Sequence, residues 1–441
     1  MDHRRELAAR DHQLREMQHE SFAYFVHEVN PVNGLVRDKT AADWPASIAA
    51  IGMALTAYPV GVERGFVTHA QALRLTLATL RFLMASEQSE SPIASGFKGF
   101  YYHFLDMQTG RRAWNCELSS IDTALLMAGV LAARAYFGGE SADEREVGEL
   151  AETLYRRVDW QWLQNEGPAV RHGWTPESGF LPWRWRGYDE SMILHVLGLG
   201  SPTHPLSAQA YDAWTATFEW AEVEGIEYLH AGPLFIHQMS QVWLDLRGLR
   251  DNFMRGRHSD YFENSRRAAL VQQRYAMRNP NRCSMYGELC WGITASDGPG
   301  AHARGRQVAG RTYYDYVARG VRDGPDDGTL APWAVVASLP FAPDIVLPTI
   351  DNLRRLQLHT DNPYGFKASY NPTFPADRHH SIGWVSHHHF GINEGPTLLM
   401  IENHLSDTVW RLMRGCDHVV NGLRLAGFEG GWLQGATVGR S

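Results

Sequence analysis

The sequence predicts an all-α protein built as a single (α/α)6 toroid barrel domain over residues 1–441. Three observations lead to this fold class. Apolar residues recur with helical spacing along the whole chain, whereas the period-two patterns of strands are weak. Small, apolar helices alternate with amphipathic ones, as expected when an inner ring of helices is covered by an outer ring. No Gly/Ser-rich or Pro-rich linker divides the chain.

The first part of the chain contains five predicted helices. Residues 4–29 are amphipathic, with these apolar side chains on one face: Leu14, Met17, Phe22, Phe25 and Val26. Residues 46–58 and 118–137 are small and apolar on most sides, which predicts inner helices. Two capping boxes mark helix starts: Thr68 with Gln71 before 69–85, and Ser141 with Glu144 before 142–157.

The rest of the chain continues the helical pattern with nine further predicted helices. The further predicted helices are 189–198, 208–222, 233–244, 260–277, 331–338, 343–357, 395–404, 407–415 and 418–425. Polar aromatic residues collect in the loops between them. Long loops at one end of a barrel are where a functional site is expected.

The stretch RWRGYDESMILHVLGLGSPTHP, residues 184–205, is the centre of the functional prediction. Asp189 and Glu190 stand at the start of a buried helix, where the helix dipole favours negative charge. Trp183 and Trp185 precede them. A carboxyl group among aromatic and Arg side chains suits a site that binds a polyol and protonates it. The alternative is a helix cap with a surface ion pair.

The composition excludes several classes of function. The net charge of −8 and the lack of a basic patch argue against a nucleic-acid partner. The 15 Trp residues exceed what a core requires, so stacking on sugar rings is expected, with aromatic core packing as the alternative. No run of about 18 apolar residues is found in the sequence, which predicts that no segment spans a membrane. The N-terminus lacks the apolar stretch of a signal peptide, which predicts a cytoplasmic protein, or a periplasmic one if a signal was removed.

Neither a metal nor a cofactor is predicted. The four cysteines, Cys116, Cys283, Cys290 and Cys416, lack zinc spacing and are interpreted as reduced structural thiols. The histidines at 379–380 and 387–389 are contiguous, and no HExxH motif is present, which argues against a metal site. No phosphate-binding loop, GxGxxG motif or GxSxG motif occurs.

Hydrolysis of a glycosidic bond generally requires two carboxyl groups, one on each side of the bond. The candidate carboxylates in loops and inner helix starts are Glu117, Asp122, Glu190, Asp245, Glu288, Asp297 and Glu394. Asp122 lies within an apolar helix start, where a charge is costly unless it has a partner. It is therefore either functional or part of a buried salt bridge. Glu288 either accepts bonds from sugar hydroxyls or is an ordinary solvated loop residue.

Several motifs together resemble the glucoamylase-like bacterial glycoside hydrolases, which include family-144 endo-β-1,2-glucanases and the related domain of cyclic β-1,2-glucan synthases. The motifs are RGYDESMILHVLGLGSPTHP, HAGPLFIHQMSQVWLDLRGLRD, DYFENSRRAALVQQRYA, YGELCWGITASDGPG, LPFAPDIVLP and GPTLLMIEN. The resemblance covers residues 15–433. It implies an (α/α)6 barrel that needs no metal or cofactor and acts on β-1,2-linked glucans.

Within this resemblance, Glu190 is the leading catalytic candidate, and Glu117 and Asp122 line the same pocket. The residues predicted to bind the sugar are Tyr101, Tyr102, His103, Trp183, Trp185, Arg186, Tyr188, His230, Gln238, Glu288, Asp297, Asn393 and Glu394. The expected partner is therefore an oligo- or polysaccharide. The alternatives are a transglycosylase, an exo-acting glycosidase on another glucoside, and a catalytically dead carbohydrate-binding barrel.

Two acidic positions of the family pattern are altered here. The chain has Ala368 in GFKASYNP and Asn393 in GINEGP, where the family pattern has aspartate. An amide does not accept a proton near neutral pH, so Asn393 cannot be a general base. We therefore expect Asp122 or Glu117, and not the neighbouring Glu394, to be the second catalytic carboxylate.

Overall fold

A computed structural model describes residues 2–301, 304–359, 363–375 and 382–436. Helices dominate it. The α-helices are α1 Asp2–His27, α2 Ile48–Arg64, α3 His69–Ala85, α4 Ser120–Phe137, α5 Ala142–Arg157, α6 Met192–Leu199, α7 Gln209–Thr215, α8 Asn252–Arg255, α9 Tyr261–Arg278, α10 Pro332–Ala337, α11 Pro343–Arg355, α12 Gly391–Ser406, α13 Thr408–Arg414 and α14 Asp417–Leu425. Both predicted capping boxes are confirmed, at the starts of α3 and α5.

The strands in the described ranges are two to four residues long and lie in the loops. They are β1 Ala46–Ser47, β2 Gly96–Phe97, β3 Phe100–Tyr101, β4 Phe104–Leu105, β5 Leu118–Ser119, β6 Gly173–Thr175, β7 Gly179–Phe180, β8 Trp220–Val223, β9 Ile226–Leu229, β10 Leu249–Arg250, β11 Ala295–Ser296, β12 Arg306–Val308, β13 Arg311–Tyr313, β14 Val317–Ala318, β15 Tyr370–Asn371, β16 Trp384–Val385 and β17 Glu429–Gly430. Each pairs antiparallel with a neighbour, and β5, β6 and β7 form a three-stranded sheet. Such ribbons fix the loops without forming a separate layer.

Helices α2, α4, α6, α10 and α12 are largely buried and follow one another in space. Helix α2 packs on α4, α4 on α6, α10 on α12, and α12 on α2. Two 3-10 turns, Leu234–His237 and Met239–Val242, lie between α6 and α10. The Ile193 N–H donates to Ser240 Oγ (3.0 Å), and Gln238 Nε2 donates to the Ala334 carbonyl (2.6 Å).

The remaining long helices cover this buried set. Helix α1 packs on α12, α3 on α2, α5 on α4, α14 on α6, and α11 on α10, while α9 packs on the first 3-10 turn. The exposed faces of α5, α9, α11 and α14 are polar. This is the alternation of buried and amphipathic helices that the sequence pattern predicted.

Two glycines allow the closest helix contact in the core. A Cβ on Gly52 of α2 would lie 2.3 Å from the Leu125 carbonyl oxygen, and one on Gly129 of α4 would lie 2.1 Å from the Gly52 oxygen. These neighbours are backbone atoms, so they cannot move aside as a flexible side chain would. The two helices therefore pack backbone against backbone, which is why glycine is required on both.

The structure corrects several predicted elements. The prediction of one helix over 208–222 is wrong, because α7 ends at Thr215 and residues 220–223 form β8. The prediction of one helix over 233–244 is also wrong, because the segment makes two separate 3-10 turns. Helix α12 begins at Gly391 rather than at 395, so Asn393 lies in its first turn. In the first two segments, bonds to other elements replace the predicted helix: β8 pairs with β9, and the two 3-10 turns bond to α6 and α10. The local sequence pattern does not encode these contacts.

The prediction that no apolar run is long enough to cross a membrane was too strict. Residues Ser120–Phe137, which form α4, pass that test by length and hydropathy. However, 78% of this segment is buried within the fold, as expected for a core helix. Among the described residues, no group of three or more His, Cys, Asp or Glu side chains is arranged to hold a metal, and His379 and His380 lie outside those residues.

Candidate active site

A cavity of about 600 Å³ lies at the N-terminal ends of α4, α6, α10 and α12, and we call it the central cavity. Its lining residues are His103, Asn115, Cys116, Glu117, Ser119, Ile121, Asp122, Leu125, His172, Thr175, Leu181, Trp183, Trp185, Glu190, Phe235, Met239, Ala295, Tyr316, Trp333, Ile392 and Asn393. Helix N-termini favour negative charge. They surround a cavity that contains three carboxyl groups, those of Glu117, Asp122 and Glu190.

Short strands bring the first group of polar residues to this cavity. Strand β5 pairs with β6, and the His103 N–H donates to the Glu117 carbonyl (2.9 Å). Ser119 is the N-cap of α4 and accepts from the Asp122 N–H (3.1 Å). The CELSSIDTALL segment therefore places both of its acidic side chains beside His103.

His103 links the two carboxylates. Its Nδ1 lies 3.0 Å from Glu117 Oε1, and its Nε2 lies 3.6 Å from Asp122 Oδ2. Burial opposes a charge on His103, but Asp122 and Glu117 outweigh it and raise the pKa of His103 to about 9. Burial would also raise the pKa of Glu117, but the hydrogen bond from His103 lowers it below its usual value. At neutral pH this is a cationic imidazole that lies between the side chains of Glu117 and Asp122.

Glu190 has the opposite electrostatic environment. Burial is the main cause that raises its pKa to about 8, and the negative charges of Asp189 and Asp122 add to the shift. Burial also raises the pKa of Asp189, whose Oδ1 accepts from the Ser191 N–H (3.0 Å) and hydroxyl (2.5 Å). The shift of Glu190 is in the direction expected from its position among buried aromatic residues. Glu190 thus holds its proton at neutral pH.

The two tryptophans before Glu190 both line the cavity but differ in exposure. Trp185 is 6% exposed, its Nε1 donates to Ser120 Oγ (2.9 Å), and its ring stacks on His172 at 4.0 Å. Trp183 is 63% exposed. Trp185 is therefore part of the cavity wall, whereas Trp183 presents an open ring face.

Asn393 and Glu394 point to different environments. Asn393 lines the cavity, whereas Glu394 is 4% exposed and its Oε1 lies 2.9 Å from His389 Nδ1. Adjacent helical residues point about 100° apart. Glu394 was predicted to bind the sugar, but its side chain does not line the cavity and instead contacts the buried His389.

Three other predicted sugar-binding residues are core residues that do not line the cavity. Tyr101 and Tyr102 are fully buried, and the Tyr101 hydroxyl donates to the Leu83 carbonyl (2.8 Å). Gln238 is 1% exposed and bonds to α10. The KGFYYHF motif looked like an exposed aromatic loop, but Tyr101 lies in β3, Tyr102 forms an isolated bridge with Leu118, and both are buried, which leaves only His103 of this motif at the cavity.

The remaining predicted sugar-binding residues also lie elsewhere. His230 and Tyr188 line a separate cavity of about 250 Å³, where His230 bonds to Asp323 Oδ2 (2.6 Å). Asp297 is buried and accepts from the Ser369 and Ser386 hydroxyls, each at 2.5 Å. Arg186 and Glu288 are exposed outside the cavity lining, and the candidate carboxylate Asp245 forms ion pairs with Arg247 and Arg414.

Sequence reasoning missed several lining residues. His172, Tyr316 and Met239 come from three distant loops, and nothing in their local sequence sets them apart. Tyr316 is 52% exposed and lines the same cavity as Asp122 and Glu190. Its placement depends on β14 pairing with β11, a contact between two-residue strands that no periodicity reports.

Comparisons with known proteins show that the chain resembles glucoamylase-like proteins in sequence and in structure. The family described as "Putative glucoamylase" matches residues 182–417, more than half of the chain. A curated protein of Parabacteroides distasonis, named exo β-1,2-glucooligosaccharide sophorohydrolase (non-reducing end), is 28% identical over 94% of this chain. This chain spans 58% of that relative's length.

Two solved structures have a similar fold. A protein of Bacteroides fragilis described as a putative glucoamylase matches with a TM-score of 0.82 and 29% identity, covering 96% of this chain and 98% of its own. An endo-β-1,2-glucanase of Chitinophaga pinensis, solved with sophorotriose and glucose, matches with a TM-score of 0.83. At 24% identity, with 95% of this chain and 98% of its own covered, it demonstrates a shared fold.

Proposed function

This chain belongs to the "Putative glucoamylase" family, and from that premise we propose that it hydrolyses β-1,2-linked glucans or their oligosaccharides. One observation carries the proposal. A carboxyl group that keeps its proton at neutral pH, Glu190, lines the same cavity as the ionised Glu117, which is bonded to His103. A protonated and an ionised carboxyl group in one cavity are the two catalytic groups that glycoside hydrolysis generally uses.

Glu190 is the general acid in this proposal. It donates its proton to the glycosidic oxygen as the bond to the leaving sugar breaks. The burial that raises its pKa keeps this proton available up to about pH 8. Its position two residues before α6 gives it a fixed backbone, since Ser240 Oγ donates to the Glu190 carbonyl (2.7 Å).

Glu117 is the base that removes a proton from the attacking water. Its side chain is 33% exposed, whereas that of Asp122 is 9% exposed and already accepts from Ser119 Oγ (2.5 Å). A water molecule therefore has better access to Glu117. Asp122 is assigned to holding His103 and to accepting from a sugar hydroxyl.

The linkage is proposed from the sophorohydrolase relative, and the cavity wall is compatible with a sugar. Trp183 and Tyr316 offer exposed rings, while the apolar side chains of Leu181, Phe235 and Met239 line the same space. Aromatic faces stack on the apolar faces of sugar rings, and a few polar groups fix their orientation.

We also propose that the helices close into an (α/α)6 toroid barrel and that residues 1–441 form one domain. Support comes from the order of contacts. The buried helices α2, α4, α6, α10 and α12, together with residues 234–242, form a cycle in which each contacts or bonds to the next. A second set of helices covers them from outside.

Transglycosylation is the second candidate, and Asn393 is the observation that favours it. This amide lines the cavity where the resemblance implies an aspartate. If water activation is weak, a sugar hydroxyl replaces water as the acceptor. Products longer than the substrate would then accumulate.

The test is product analysis of the purified protein on linear β-1,2-glucan, with β-1,3- and β-1,4-glucans as controls. The proposal expects shorter β-1,2-linked products and a loss of about two to four orders of magnitude in turnover for Glu190→Gln. Near-normal turnover in Glu190→Gln would remove this residue from the mechanism. Activity confined to another linkage would refute the proposed substrate.

A further inference from the structure

The exposed aromatic side chains of this molecule are concentrated in one place. Among the described residues, three Phe, Tyr or Trp side chains are largely exposed: Trp183 at 63%, Trp114 at 56% and Tyr316 at 52%. Trp183 and Tyr316 line the central cavity, whereas Trp114 lies just outside it. The residues that directly follow Trp114 are Asn115, Cys116 and Glu117, and all three line the cavity.

Trp114 is held in an unfavourable backbone conformation. Its φ is 54° and that of Asn115 is 53°, both in the left-handed region that residues with a Cβ rarely use. Two such residues in succession persist only where the surroundings impose them. Backbone conformations of this kind cluster at ligand-binding sites.

Arg112 imposes this conformation on the segment 112–117, which we call the Trp114 loop. The Arg112 side chain is 1% exposed, its Nε donates to the Cys116 carbonyl (2.6 Å), and its Nη2 donates to the Asn115 carbonyl (2.8 Å). Its two Nη atoms also form a two-pronged ion pair with Glu177 at 2.6 and 3.0 Å. Such a fork is geometrically specific.

The ring of Trp114 contacts two other aromatic rings and is otherwise open to solvent. Its centroid lies 4.7 Å from that of Trp44, edge to face, and 5.1 Å from that of Phe104. Phe104 in turn stacks at 4.0 Å on His103, which lines the cavity. A continuous row of rings thus leads from His103, which contacts Glu117 and Asp122, outward to Trp114, whose remaining surface faces solvent.

We propose that Trp114 forms an outer sugar-binding subsite, on which a glucosyl residue of a β-1,2-glucan chain stacks after the chain leaves the central cavity. This inference rests on the proposed function and deepens it. Lys39 and Asp38 supply polar groups nearby: Lys39 Nζ lies 3.8 Å from the centroid of the Trp44 ring, and Trp44 Nε1 donates to Asp38 Oδ2 (3.0 Å). A polysaccharide therefore meets a stacking surface flanked by hydrogen-bonding groups.

The experiment compares Trp114→Ala, Trp114→Phe and the wild type on β-1,2-gluco-oligosaccharides of increasing length. The measured quantity is the ratio of kcat/KM on the longest substrate to that on the shortest one hydrolysed. We expect Trp114→Ala to lower this ratio about fivefold to tenfold, the range of a lost aromatic contact, and Trp114→Phe to restore most of it. Leu425→Ala, at another exposed apolar residue, is the matched control and should leave the ratio unchanged.

Two outcomes overturn the subsite. An unchanged ratio means that no sugar contacts Trp114, and an equal loss on all lengths means that the ring acts only on the structure of the loop. If the wild type hydrolyses no β-1,2-glucan, the proposed function fails. In that case, calorimetric measurement of the binding of the same oligosaccharides tests the subsite independently of hydrolysis. A loss of affinity in Trp114→Ala that grows with oligosaccharide length supports the subsite. The absence of binding, or a loss of affinity that does not depend on length, refutes the subsite.

Discussion

Replacing His103 by Gln tests the assignment of Glu117 as the base. The change removes the positive charge that lies 3.0 Å from Glu117 and keeps a polar side chain of similar reach. Because His103 lowers the pKa of Glu117, its removal must raise that pKa. The base is active when ionised, so the acidic limb of the pH profile must move towards neutral pH.

The size of the shift follows from the geometry. The side chains of His103 and Glu117 are 30% and 33% exposed, so solvent screens their attraction. Full water screening at 3.0 Å gives about 1.4 kcal/mol, which corresponds to roughly one pKa unit. A lower effective dielectric constant would enlarge the shift. We therefore expect the acidic limb of kcat/KM to move up by at least about one pH unit.

The assay is kcat/KM on a β-1,2-gluco-oligosaccharide from about pH 3 to 9, since this parameter reports the free enzyme. His69→Gln is the matched control, because His69 makes a similar contact with Glu144 at 3.5 Å on the outer helices α3 and α5. It should leave both limbs in place. If His103→Gln lowers the rate but leaves the acidic limb unmoved, Glu117 is not the base.

Three further predictions follow from the structure. The alkaline limb of kcat/KM should lie near pH 8, because the acid form of Glu190 is present below its raised pKa and is lost as the pH rises through it; a limb that begins below pH 6 would contradict this. Gly52→Ala should lower the free energy of unfolding by about 1–3 kcal/mol in denaturant titrations, because the added Cβ would clash with the Leu125 carbonyl. The control Gly148→Ala, where the added Cβ meets open space, should raise the free energy of unfolding by about 0.5–1 kcal/mol. Glu394→Gln should retain measurable turnover, and complete loss with binding intact would make Glu394 the base.

The sequence predicted the helical class of the fold because the alternation of apolar and amphipathic segments is a local property. It also identified Glu190, Glu117 and Asp122 as candidate catalytic residues, and all three line one cavity in the structure. It failed for Tyr101 and Tyr102, which are buried in the core through the pairing of β3 with β2 and of Tyr102 with Leu118.

Residues such as Tyr316 and the Trp114 loop could not be predicted for a different reason. Their positions depend on pairing between two-residue strands and on the Arg112–Glu177 ion pair, which joins residues 65 positions apart. No local period encodes such a contact. The position of the Glu394 side chain outside the cavity likewise depends on its contact with His389, which lies in the loop before α12.

The contact between α2 and α12 has a consequence for how the chain folds. Arg64 Nε bonds to Glu402 Oε2 at 2.7 Å across 338 positions of sequence, and Gln18 Nε2 reaches the same carboxylate oxygen at 2.7 Å. The entropy of closing so long a loop is lost before the contact forms, and contacts of such separation slow folding. During synthesis, α2 therefore leaves the ribosome long before its partner exists. The apolar surface that α2 packs against α12 stays uncovered until α12 has been made, and exposed apolar surface of this kind favours misassociation during that interval.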